Sequence, residues 1–152
     1  MSKDPYNSGC CCFLISIKMK KIYKVAGIAF RDNAFFMVRK AGKDIWTNLG
    51  GKREKGENDE QALRREVKEE IDCDVEIISR IGEFENKAAL DDAIVHICAY
   101  QVELIGQPKI SDDELEEFGW IDSNWQANGI KLPLSITEQI IPYCIKNKLL
   151  NW

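Results

Sequence analysis

Residues Gly51 to Cys73 read GKREKGENDEQALRREVKEEIDC, and this stretch decides most about the chain. Gly51 is followed six residues later by Glu57, and eight further on comes Arg65-Glu66-Val67, then Glu69-Glu70. Asn58 is placed to cap a helix, with Gln61 at the third position to complete a capping box. From Asp59 to Ile71 the residues are mostly strong helix formers. At about 100° per residue, Leu63, Val67 and Ile71 share one narrow apolar stripe, and Glu66, Glu69 and Glu70 fan out beside it. Carboxylates spaced i, i+3 and i+4 repel one another on a helix. A hard divalent cation relieves that repulsion and takes oxygen ligands, and Mg2+ in particular keeps waters or substrate phosphates beside few carboxylates. Upstream, Gly50-Gly51 lets the backbone approach such ligands closely.

The pattern G-x5-E-x7-R-E-U-x-E-E-x-x-U, with U an apolar residue, resembles the Nudix box of the MutT-like nucleotide diphosphatases. The departure is Asp72, where that family usually has glycine. A left-handed residue is expected just past the helix end, and Asp tolerates that conformation better than most. The resemblance extends to Lys24-Val25-Ala26-Gly27-Ile28, Leu49-Gly50-Gly51-Lys52 and the segment Glu114 to Ile121. It covers roughly Lys21 to Lys146.

The resemblance implies an α/β class fold, a Nudix-type α/β/α sandwich with a mixed β-sheet. It implies Mg2+-dependent hydrolysis, with Mn2+ as a substitute, of a nucleoside diphosphate linked to another group X. It implies Glu66, Glu69, Glu70 and the Gly50 carbonyl as metal ligands. Glu57 then stands one layer behind them, and Arg65 orients the glutamates through charge-assisted hydrogen bonds. Glu114 and Glu69 are the alternative general bases. Trp46 and Asn48 are placed to stack on and hydrogen-bond a base, with Lys52 beside the substrate, although ordinary packing explains both equally well. His96 is expected as a packed or hydrogen-bonded core residue in mid-strand rather than a catalytic one.

An active diphosphatase stands against a non-catalytic nucleotide-binding module, and retention of Glu66, Glu69 and Glu70 favours the enzyme. The proline of ADP-ribose-cleaving relatives has no counterpart around Ala88 to Leu90, and the tyrosine of diadenosine-polyphosphate relatives is also missing there. The signature of the NADH diphosphatases is absent too, and the purine-reading asparagine of 8-oxo-guanine relatives is replaced near Ser135. Elimination leaves a nucleoside triphosphate or modified nucleotide, with ADP-ribose or a nucleotide sugar as the alternative.

At 152 residues the chain is expected to form one domain, 21–152, preceded by an extension, 1–20. A net charge of −4 and a pI near 5.2 argue against a broad nucleic-acid surface. Of 6 cysteines, Cys10, Cys11 and Cys12 are contiguous, which is no disulfide framework and points to a reducing cytoplasm. The apolar run Cys10 to Ile17 is too short to span a membrane and reads as an added edge strand or a loose extension. A small-molecule partner and a monomer or homodimer are expected.

Along the rest of the chain, Ile22–Arg31 and Ala34–Arg39 read as a hairpin around Asp32-Asn33. Val75–Asn86 reads as a strand broken at Gly82. Ala93–Leu104 is apolar on both faces and belongs in the middle of a sheet. Leu115–Ile121 reads as a short strand. Ser135, boxed by Glu138, is expected to cap a last helix that Pro142 kinks or restarts.

Overall fold

A computed structural model describes residues 18–88 and 92–152. The extension expected at 1–20, with Cys10 to Ile17, lies almost wholly outside these residues. The segment opens on β1 (Lys20–Arg31) and β2 (Ala34–Lys40), joined by Asp32 (φ 50°) and Asn33 (φ 61°). Two successive left-handed residues suit the tight hairpin turn whose twist matches the strands, and Asn and Asp accept that conformation. The expected hairpin is present, but it parts early. Only Phe30↔Phe35 and Arg31↔Ala34 pair.

Beyond that point β2 turns to β3 (Trp46–Thr47) and to β7 (Leu115–Ile121). The freed edge of β1 takes β4 (Leu49–Gly51) antiparallel, with Val25 opposite Gly51 and Ala26 opposite Gly50. The other edge of β1 runs parallel to β6 (Ala93–Ile105), from Lys20↔Ala93 to Ala29↔Val102. β6 in turn pairs antiparallel with β5 (Asp74–Lys87), whose register shifts at Ile77/Ser79 and at Arg80/Gly82. The break expected at Gly82 is thus a bulge within one continuous strand. Together the strands make a 7-stranded mixed sheet.

Period-two alternation along β1 divides the core. Ala26 and Ile28 face one cluster, which holds Ile136, Ile140 and Cys144 of the C-terminal helical segment. Val25 and Ala29 face the other, built on Leu63, Val67 and Ile71 of α1 (Asp59–Ile71). Helices therefore cover both faces of a mixed sheet, as expected, and β6 lies inside it between β1 and β5.

The last helix departs from expectation. Ser135 makes no capping bond and Glu138 completes no box; the segment Ser135–Ile140 is π-helical and runs into α2 (Ile141–Lys146). Pro142 explains this, because it has no N–H and its ring crowds the carbonyl of Glu138. The turn before it widens, and the Ile141 N–H reaches back to the Ile136 carbonyl. Ser135 itself is buried, 2% exposed.

Candidate functional site

The site is built on α1. Its start is fixed by the reciprocal bonds of Asn58 and Gln61: the Gln61 N–H donates to Asn58 Oδ1 at 2.8 Å, and the Asn58 N–H to Gln61 Oε1 at 3.0 Å. Burial of Leu63, Val67 and Ile71 then fixes the rotation of the helix. That rotation turns Glu66 and Glu70 toward β4. The Gly50 N–H donates to Glu70 Oε2 at 3.1 Å, and Glu70 is buried, 8% exposed. The double glycine is required here. A Cβ on Gly51 would lie 2.6 Å from the Glu66 carboxylate. One on Gly50, whose φ is +121°, would lie 2.1 Å from the Val25 carbonyl oxygen.

Arg65 ties the acidic residues together. Its Nε and Nη2 hold Glu57 at 2.6 and 3.0 Å, and its Nη1 reaches Glu66 and Glu69, each at 3.1 Å. Nη2 also donates to the Lys52 carbonyl at 3.1 Å. The Arg65 guanidinium, with the Glu54 amide, holds the Glu57 carboxyl down at about 2. Burial, countered by Arg65, raises the Glu66 carboxyl. Glu70 is pushed up to about 8, chiefly by burial and further by the charge of Glu66, against the opposing bond from Gly50. Glu70 therefore sits in the protein as a buried acid with one amide donor, the like charges of Glu66 and Asp112, and a weaker opposing influence from Lys40.

Glu66 and Glu70 open onto a cavity of about 380 Å³. Asn48, Gly50, Gly51, Lys52 and Glu114 line it with them. Four expected residues lie outside the lining: Glu57 and Arg65, which are bonded to each other with Arg65 reaching Glu66, and Trp46 and Glu69. Trp46 is buried in the core, 8% exposed, because β3 pairs with β2 and turns the indole inward against Gly119. The side chain of Glu69 is 53% exposed and rests on Arg65, outside the cavity lining. Among the described residues no three His, Cys, Asp or Glu side chains are gathered tightly enough to hold an ion as they stand. The donor set nevertheless fits a hard divalent cation: the buried Glu70 carboxylate beside the partly buried Glu66, oxygen-only, with no cationic side chain bonded to Glu70 among the described residues.

Three charged residues in the lining, Lys24, Lys40 and Asp112, escape the sequence motif. Lys24 reaches the cavity through the pairing of β1 with β4 and β6, and Asp112 through a loop, so no local signal marks them. Asp112 Oδ1 accepts from the Glu114 N–H at 2.8 Å, and Lys40 Nζ lies 3.7 Å from Glu114. The far wall is apolar, with Ile22, Val95, Ile97 and Ile136. Asn48 Nδ2 is buried with no hydrogen-bond partner among the described residues. His96 lies outside this cavity, between Glu83 and Glu85 at 3.5 and 3.4 Å, with its ring 5.3 Å from that of Tyr23. It is half-buried, with Nδ1 within hydrogen-bond distance of the Glu85 carboxylate, rather than a core residue.

The NUDIX domain model matches residues 21–130. Among solved structures, the E. coli ORF135 protein is 26% identical, with a TM-score of 0.63, over 81% of this chain and 88% of that one. A MutT protein from Methanosarcina mazei Go1 superposes with a TM-score of 0.71 at 18% identity, over 88% of this chain and 99% of that one. An ADP-ribose pyrophosphatase from Streptococcus suis 89-1591 does so with a TM-score of 0.65 at 18% identity, over 84% and 91%. No curated protein matches the sequence. Among the described residues no helix is long and apolar enough to cross a membrane.

Proposed function

This chain belongs to the Nudix family and is a Nudix hydrolase, and from that premise we propose that its substrate is a nucleoside triphosphate or modified nucleotide. Hydrolysis of the diphosphate bond would release a nucleoside monophosphate, with pyrophosphate or phosphorylated X as the second product. The observation that carries this reading is the buried Glu70 beside Glu66 at the mouth of a nucleotide-sized cavity.

Glu66 and Glu70 are the side chains that would hold Mg2+ or Mn2+, with Glu69 and the Gly50 carbonyl as the further ligands the family resemblance supplies. When bound, such an ion shields the diphosphate oxygens and acidifies a water. The chain's own residues do the rest. Arg65 holds the Glu66 carboxylate from one side, and Glu57 holds Arg65. Lys24, Lys40 and Lys52 bring positive charge to the cavity, against which substrate phosphates settle. Glu114 would take the proton of the attacking water, with Glu69 the other candidate. The wall of Ile22, Val95, Ile97 and Ile136 takes the flat face of a base and excludes water from it, and Asn48 offers a polar edge.

The test is release of monophosphate and pyrophosphate from a panel of ordinary and base-modified nucleoside triphosphates, ADP-ribose and nucleotide sugars, with Mg2+ and with chelator. Preferential, chelator-sensitive turnover of a triphosphate is expected. Faster turnover of ADP-ribose or a nucleotide sugar would overturn the substrate class.

A further inference from the structure

Asp72 carries a carboxylate that the end of α1 does not need. Its left-handed backbone (φ 53°, ψ 32°) and its N–H bond to the Lys68 carbonyl finish the helix by main chain alone. Glycine would do both. The carboxylate instead meets Lys109 Nζ at 3.0 Å and Lys68 Nζ at 3.3 Å.

Lys109 lies in the connection 106–114 between β6 and β7. The last carbonyls of a helix need donors from outside it, and this connection supplies two. The Lys109 N–H donates to the Ile71 carbonyl at 3.0 Å, and the Ser111 N–H to the Glu70 carbonyl at 3.1 Å. The connection is thus pinned to the last turn of α1 by two backbone bonds and one ion pair. Directly after the pins come Asp112 and Glu114, both in the cavity lining. They form one unit, since the Glu114 N–H is bonded to Asp112 and the Glu114 carbonyl accepts from the Ala41 N–H at 2.8 Å.

We propose that Asp72 is a positioning residue for the hydrolytic reaction. Through Lys109 it holds the 106–114 connection on α1, so that Asp112 and Glu114 share the cavity with Glu66 and Glu70. The inference rests on the hydrolase reading above. An exposed ion pair adds little to global stability, so its effect belongs to the local opening of the connection rather than to the fold.

The experiment uses the whole chain with Asp72→Asn, which keeps a residue tolerant of the left-handed turn, with Lys109→Met, with both together, and with Lys68→Met as a control. Amide hydrogen exchange is read at positions 109 and 111, whose N–H groups bond the helix end, and at Val67 inside the helix. Exchange at 109 and 111 is expected to rise about five-fold in each single variant, no further in the double, with Lys68→Met and the Val67 amide unmoved. With Mg2+ and the best-turned-over nucleoside triphosphate, kcat is expected to fall by about three- to tenfold while KM stays within about two-fold. Unchanged exchange at 109 and 111 overturns the anchoring. Faster exchange with unchanged kcat overturns the positioning role. A wild-type protein with no turnover defeats the functional reading and the positioning role with it, and is told apart because exchange needs no substrate.

Discussion

The Gly50 N–H and the Glu70 carboxylate, twenty positions apart in sequence, are joined by a 3.1 Å hydrogen bond inside the protein. Among the described residues that bond is the one hydrogen bond of the Glu70 side chain, and burial outweighs it, raising the carboxyl to about 8. A group whose folded value lies above its unfolded one stabilises the fold fully below the unfolded value. For Glu70 that contribution is lost as pH rises from about 4.5 through about 8. Ion-free protein is therefore expected to lose melting temperature across that window, and Mg2+ to restore it at the alkaline end. Thermal melts at several pH values, with chelator and with Mg2+, check this. A flatter profile in Glu70→Gln than in wild type is expected; equal profiles would contradict the assignment to Glu70.

Gly51→Ala separates room for Glu66 from backbone strain, because Gly51 has no left-handed φ while the added Cβ would meet the Glu66 carboxylate at 2.6 Å. The side chain must move off, and Arg65 loses part of its hold on it. A kcat loss of at least about tenfold is expected with only a small change in melting temperature. Gly50→Ala meets the Val25 backbone at 2.1 Å with φ at +121°. It is expected to cost about 1–3 kcal/mol or more of stability. Parallel melts and rates of the two variants make the contrast.

Arg65→Lys keeps the charge and removes the fork. A single ammonium cannot bond both oxygens of Glu57 and still reach Glu66 and Glu69. A fall in kcat of about 10- to 100-fold is expected, comparable to loss of an outer partner at other metal sites. Activity within about two-fold of wild type would show that the glutamates do not depend on Arg65 for orientation.

Trp152 ties the C-terminal segment to the hairpin turn. Its Nε1 donates to the Asn33 carbonyl at 2.8 Å, its ring lies 5.4 Å from that of Phe35, and the Asn151 N–H donates to Asn33 Oδ1 at 2.7 Å. Trp152→Ala is expected to lower stability by about 1–3 kcal/mol and leave kcat unchanged. A denaturation midpoint equal to wild type would contradict it.

What could be read from sequence was what short-range chemistry specifies. The capping box at Asn58 and Gln61, the left-handed Asp72, the Asp32-Asn33 turn and the limits of β7 all follow from residues within a few positions of one another. What escaped depends on distant pairing. Trp46 turned inward because β3 joined β2, and Lys24 and Asp112 reached the cavity through strand register and loop docking. Glu69 shares the helical fan of Glu66 and Glu70, yet Arg65 holds it outside. The expected cap at Ser135 failed because Pro142, seven residues on, reshaped the turn between them.

The most direct test of the central claim is the rate of nucleoside monophosphate release against Mg2+ concentration, for wild type and Glu70→Gln side by side. The account predicts a saturable Mg2+ dependence in wild type. It predicts a kcat at least about tenfold lower in Glu70→Gln, a loss of roughly 1.4 kcal/mol or more, with the fold intact by melting. Glu70→Gln turning over at more than about a tenth of the wild-type rate at the same Mg2+, or wild-type turnover indifferent to chelator, would contradict it.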